Sequence, residues 1–137
     1  MRIVLDTNCL IQSISPKSAY HDIWLSILNG KNTLCVSNEI LEEYAEILNR
    51  LAGKTTANLV LNAIIECRNV MFFTPYYRFN LISADPDDNK FVDCAISGNA
   101  EYIVSNDSHF RVLNEIDWPR LQLVTIQDYV KGIGNNV

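Results

Sequence analysis

The sequence predicts an α/β fold in which a parallel sheet of four to five strands is covered by helices on both faces. Two observations carry this expectation. Short apolar runs rich in β-branched residues alternate with longer segments of helical periodicity, which implies βαβ units and hence parallel pairing. The opening run Arg2–Leu5 is apolar at successive positions rather than alternating, as a strand buried on both faces should be. With 137 residues and no repeat, linker or low-complexity tract, one domain spanning residues 1–137 is expected.

Taken in order, the first strand ends at Asp6-Thr7-Asn8. Residues 16–28 then read as a helix, because Ile23, Trp24, Ile27 and Leu28 recur at helical spacing before Asn29-Gly30 stops it. Thr33–Val36 is the second strand. Ser37 is a good N-cap with Glu39 in the first turn, and Ile40, Leu41, Tyr44, Ile47, Leu48 and Leu51 form an apolar stripe that runs to Gly53. A further helix is expected over residues 56–66 and a third strand over 70–74. Residues 75–86 read as an exposed, aromatic-rich loop. Residues 88–97 carry Phe91, Val92, Ala95 and Ile96 on one side and close at Gly98-Asn99, so a helix is expected there. A fourth strand over 102–105 leads to Asn106-Asp107-Ser108, which caps a short helix to residue 113. Residues 121–125 supply the fifth strand, the tail to Lys131 one more turn, and Gly132 onward a frayed end.

The composition, 48% hydrophobic and 20% charged, is that of an ordinary globular chain, and no stretch approaches the roughly 18 apolar residues of a membrane helix. The opening MRIVLD is too short an apolar run for a signal peptide and lacks a small-residue cleavage site, so a cytoplasmic protein is expected. Cys9, Cys35, Cys67 and Cys94 lie far apart without C-x-x-C pairs and read as reduced, mostly buried small hydrophobes. The net charge of -5 and pI near 4.9 argue against a broad basic surface for nucleic acid. That objection weakens where the acids cluster, because two divalent cations would add about +4 and bring the protein near neutrality.

Open parallel sheets bind ligands beyond the carboxyl ends of their strands. That rule selects Asp6, which ends the first strand, and Asp107, just after the fourth. Helical phasing selects two more. Asp88 precedes Phe91 and Val92 by three and four residues and so shares their core-facing side, while Asp87 and Lys90 point elsewhere. Glu43 borders the apolar stripe beside Ile40 and Ile47, whereas Glu39, Glu42 and Glu46 project away from it. Four converging carboxylates repel unless protonated or bridged by a cation. Oxygen ligands with no histidine or cysteine nearby favour one or two Mg2+ or Mn2+ ions. Such a site activates a bound water and clamps the oxygens of a phosphodiester during cleavage. Asp93, at the flank of the Asp88 helix face, is a further candidate ligand.

Four segments carry a family resemblance: LDTN, SNEILEEY, DPDDNKFVDCA and YIVSND. In this order and context they resemble PIN-domain proteins, and the chain is similar to the bacterial toxin components of toxin-antitoxin modules. The resemblance covers nearly the whole chain. It implies a three-layer α/β/α sandwich of Rossmann-like type, with the acidic ligands carried by Asp6, Glu43, Asp88 and Asp107. Asn8 and Ser105 match the usual polar supports, Ser105 standing where many members have threonine. It implies as well a ribonuclease acting on single-stranded RNA, a homodimer, and a small antitoxin that masks the site.

Two other classes stay open. A catalytically idle RNA- or protein-binding module would keep the fold without the chemistry. A phosphoacceptor signalling domain also places acids at strand ends, but it wants a lysine after its last strand, where this chain has Thr125-Ile126-Gln127-Asp128. Among lesser features, Tyr76, Tyr77, Arg78 and Phe79 either pack the 75–86 loop or stack on unpaired bases. His109 is the better placed of the two histidines for acid-base work.

Overall fold

A computed structural model describes residues 1–135. The chain begins with β1 (Arg2–Leu5), α1 (Thr7–Ile14), α2 (His21–Leu28) and β2 (Thr33–Val36). It continues through α3 (Asn38–Ala52), α4 (Lys54–Glu66), β3 (Val70–Phe72) and α5 (Asn89–Ser97). β4 (Tyr102–Val104), β5 (Leu123–Val124) and α6 (Ile126–Asn135) complete it, with 3-10 segments at Pro86–Asp88 and Ser108–Glu115. All five strands are parallel, in the order β3-β2-β1-β4-β5.

That order sets the site. The chain walks outward from β1 to β2 to β3, then returns across β1 to begin again at β4. Right-handed crossovers therefore place α1 to α4 on one face and α5 on the other. Side by side, β1 and β4 run to neighbouring loops that diverge to opposite faces, and the crevice between them is where such sheets take ligands. The core is continuous around them: Ile3, Val4, Leu5, Leu34, Val36, Ile103 and Val104 are all at most 1% exposed. Strands covered on both sides need no alternation, which is why β1 and β2 are apolar throughout.

Several boundaries differ from the sequence expectation for identifiable reasons. The whole of α1 is absent from that expectation, because its buried face includes Thr7 and Ser13 beside Cys9 and Leu10. Polar residues on the inner face erase the apolar stripe by which a helix is read. The expected helix over 16–28 accordingly starts later, at His21, after turns through residues 15–20. α4 starts at Lys54, because Gly53, at φ +88°, turns the chain out of α3 and directly into it. β3, β4 and β5 are each shorter than expected. The segment expected as one short helix after Asp107 is a 3-10 helix, and residues 86–97 divide into a 3-10 turn followed by α5.

Two expectations are overturned more fully. The 75–86 loop is not simply exposed: Ile82 is 2% exposed, and the Asn89 carboxamide donates to the Ile82 and Pro86 carbonyls while accepting from the Ile82 N–H. The tail is not one turn with fraying from Gly132 but a helix through Asn135. The last two positions of the expected frayed end, 136–137, lie outside the described residues. The four cysteines are free, three of them buried. Among the described residues no helix is long and apolar enough to cross a membrane.

One long-range contact fixes how α3 faces the sheet. The Tyr44 hydroxyl, fully buried, donates to the Leu5 carbonyl at 2.6 Å. This pins the second turn of α3 to the end of β1 and turns the preceding residue, Glu43, toward α1. Tyr44→Phe should lower unfolding free energy by about 1–2 kcal/mol through loss of that buried bond, read from urea melts; an unchanged midpoint would show that another contact orients α3.

Candidate active site

Each acidic side chain of the crevice is placed by a local rule. Asp6 leaves β1 and becomes the N-cap of α1, its Oδ1 accepting from the Thr7 N–H at 2.8 Å. An N-cap carboxylate satisfies an orphan donor and meets the positive end of the helix dipole, which is why an aspartate starts this helix. Its other oxygen accepts from the Ser105 hydroxyl at 2.8 Å, and Ser105 in turn accepts from the Asp107 N–H at 3.0 Å. Ser105 thus couples the ends of β1 and β4, and it is 2% exposed. Asp107 caps the following 3-10 helix through the His109 N–H at 2.9 Å.

Asp88 ends the Pro86–Asp88 turn and Glu43 lies on α3. Glu43 Oε2 receives the Thr7 hydroxyl in a short hydrogen bond, and Oε1 lies 2.8 Å from Lys90 Nζ. His109 Nδ1 lies 3.3 Å from Asp88 and 3.4 Å from Asp107, between the two.

The electrostatics record the crowding. Burial pushes the Asp6 carboxyl up, the hydrogen bonds from Ser105 and Thr7 oppose it, and the charges of Asp107 and Glu43 add to it. Asp88 is pushed up to about 6, mainly by burial, against the His109 hydrogen bond and with the charges of Asp85, Asp107 and Asp6 adding. Each member of the expected quartet therefore feels at least one other.

The supporting residues fare unequally. Ser105 is central, whereas Asn8 is exposed on the first turn of α1 and takes no part in these hydrogen bonds. Asp93 is buried but faces the loop, accepting from the Phe79 N–H at 3.1 Å, and so anchors backbone rather than joining the quartet. Lys90 does not point elsewhere as helical phasing suggested; its ammonium bridges Glu43 and, at 3.0 Å, Asp87. A histidine stands against the acids, which removes the premise of a purely carboxylate neighbourhood. Tyr76 and Tyr77 are 91% and 76% exposed, Tyr77 meeting the Phe79 ring of its own loop at 6.5 Å between centroids; with Phe72, Phe79 and Ile96 they line an open cavity of about 420 Å³.

Thr7, Lys90 and Asp85 were not selected from sequence. Asp85 joins Asp88 and His109 in a group whose ligand atoms all lie within 4.8 Å of one another. Its signal was present in Asp85-Pro86-Asp87-Asp88, but helical phasing cannot be applied across a 3-10 turn. The donor set, carboxylates with one imidazole and strained by like charge, suits a divalent cation.

A family model described as "PIN domain" matches residues 2–109. The chain belongs to the PIN-domain family. Among solved structures, this PIN-domain chain is similar to VapBC2 from Rickettsia felis bound to a DNA fragment from its promoter, at TM-score 0.61 and 22% identity over 91% of this chain and 98% of that one. It is similar also to VapBC-1 from nontypeable Haemophilus influenzae, at TM-score 0.63 and 16% identity over 93% and 99%. A third is the sarcin-ricin loop cleaving toxin VapC20 of Mycobacterium tuberculosis, at 0.57 and 18% over 80% and 92%. Compared by sequence with curated proteins, the chain matches none.

The perturbed carboxyl of Asp88 has a measurable consequence. The folded protein holds that proton more tightly than the unfolded chain does. Its contribution to stability is therefore full below about pH 4 and fades as pH rises to about 6. In chelator, the melting temperature of the wild type should fall more steeply across that window than that of Asp88→Asn, which lacks the titration. Parallel curves would show that Asp88 is not perturbed in this way.

Proposed function

We propose that this PIN domain is a metal-dependent endoribonuclease that cleaves single-stranded RNA, and that it serves as the toxin of a toxin-antitoxin module. The observation that carries the reading is Asp6. It is a carboxylate 8% exposed at the sheet's switch point, held by Ser105 and Thr7, with Asp88, Asp107 and Glu43 close enough to act on its charge. A structural cap does not need to be buried beside three other acids.

In this reading Asp6, Glu43, Asp88 and Asp107 form the acidic wall that holds Mg2+ or Mn2+, with Asp85 and His109 on its flank. When bound, a divalent ion supplies an activated water and a counter-charge to the phosphodiester. The chain's own part is positional. Ser105 holds Asp6 and the Asp107 backbone in one frame, and His109 spans Asp88 and Asp107. The exposed Tyr76 and Tyr77 offer faces to unpaired bases, a chemistry that suits single-stranded rather than duplex RNA.

The biological role rests on likeness. The VapBC proteins and the toxin VapC20 among the similar structures support the toxin reading, and with it go the small antitoxin and the homodimer that the family resemblance implies. The neighbour described as the PIN domain endonuclease Utp24 supports nuclease chemistry outside toxins.

The test is cleavage of labelled single-stranded RNA by purified protein. Cleavage should require Mg2+ or Mn2+ and stop in chelator. Asp6→Asn and Asp88→Asn should each lose about 100-fold or more, the scale of roughly 3 kcal/mol of lost transition-state stabilisation. Asp87→Asn should stay within a few-fold of wild type, because Asp87 is exposed and reaches only Lys90. Chelator-resistant cleavage would overturn the metal mechanism, and no cleavage with any ion would favour an idle binding module.

A further inference from the structure

Lys90 is unusual among the charged residues of the crevice. Among the described residues it is the one lysine or arginine paired with an acid of the quartet, with a side chain only 9% exposed. Burying an ammonium is costly unless it is paired, so its partners define why it is there. They are Glu43 Oε1 at 2.8 Å and Asp87 Oδ1 at 3.0 Å, with the Phe91 ring centroid 5.7 Å away. Asp87 is 75% exposed and contributes little in water. Glu43 is the partner that matters, and its second oxygen is already occupied by the Thr7 hydroxyl.

Glu43 therefore differs from the other acids of the quartet. Both of its oxygens are engaged by donors of the protein, as both of Asp6 are, but one of its donors is an ammonium. A divalent ion on either oxygen would face that ammonium across a single carboxylate, the strongest like-charge opposition in the crevice. Asp88 meets the His109 ring, Asp107 meets that ring and the His109 backbone N–H, and Asp6 meets only neutral donors, so none of the three faces an ammonium. With Glu43 and Lys90 cancelling as a pair, a single divalent ion brings the remaining three carboxylates of the quartet within one charge of balance.

We propose that Lys90 takes the place of a second metal ion: it neutralises Glu43 and holds that carboxylate out of direct ligation, so that the site binds one divalent cation, on the side of Asp6, Asp88 and Asp107. Lys90 is thus a positioning residue, and Glu43 is left to reach the ion only through water. The inference rests on the metal-dependent reading above and deepens it by fixing the number of ions and the ligand set.

Titration calorimetry with MnCl2 on the purified full chain tests it without any cleavage assay. The wild type should bind one Mn2+ per chain. The charge-neutral double variant Glu43→Gln/Lys90→Gln should keep that stoichiometry with Kd changed by less than about threefold, whereas Asp6→Asn, which loses a direct ligand and its charge, should weaken binding by about tenfold or more. Lys90→Gln alone frees Glu43 to ligate and should either add a second Mn2+ or tighten binding by about tenfold. Lys90→Arg should retain single-ion binding, which a merely space-filling role would not require. Two ions in the wild type, a loss above threefold in the double variant, or unchanged binding in Lys90→Gln would each overturn the inference. If far-UV circular dichroism shows that Lys90→Gln does not fold, the wild-type stoichiometry and the affinity of the double variant decide. A folded wild type that binds no Mn2+ would instead refute the metal-dependent reading itself, and the inference with it.

Discussion

Like charges held together away from water are expensive, and the crevice between β1 and β4 is organised around that cost. Asp6 bears most of it. It cannot retreat to solvent, because it is at once the end of a strand buried on both faces and the N-cap of α1. What makes its position tolerable is a set of neutral donors, the Thr7 N–H and the Ser105 hydroxyl, that stabilise the anion without adding a cation. The charges of Asp107 and Glu43 act on Asp6 from across the crevice, and its own acts on Asp88. The parallel sheet supplies the geometry, since only its switch point brings two strand ends together with their loops diverging.

The acids on the two helices solve the same problem in different ways. Asp88 sits beside His109 and is still pushed up to about 6, so the crevice retains protons that an open surface would release. Glu43 instead has its own lysine. The two solutions divide the wall into a half whose charge is open to an external cation and a half whose charge is balanced internally. Tyr44, one position along α3, keeps that division in register by tying the helix to the Leu5 carbonyl.

The strands and the long helices were legible because burial on both faces and a continuous apolar stripe leave strong patterns: β1, β2 and α3 begin and end where the residues say they should. α1 was not, because Thr7 and Ser13 face inward and make its pattern look polar. Yet Thr7 is polar on the inside for a reason tied to the site, since its hydroxyl donates to Glu43, while its backbone N–H serves Asp6. The placement of Asp6 and Asp107 could be read from strand ends and that of Glu43 from helix phase, whereas the phase argument for Asp88 does not hold across its 3-10 turn. The contributions of Lys90 and Asp85 could not. A lysine's long stem can carry its charge a full turn away from where its Cβ points, and a 3-10 turn shifts the phase by which neighbours are judged. Asp93 shows the opposite error, an acid on a promising face whose oxygen is used by the Phe79 backbone.

The hydrogen bond from Ser105 to Asp6 joins residues 99 positions apart, and with Glu43 and Asp88 between them the crevice draws on nearly the whole chain. During synthesis, β1, α1 and α3 emerge and find one another long before β4 exists. A ribosome that stalls before Ser105 leaves behind a helix cap and an ion pair but no closed acidic pocket. Whatever the crevice does must therefore wait until β4 has been made and Ser105 ties Asp6 to the Asp107 backbone.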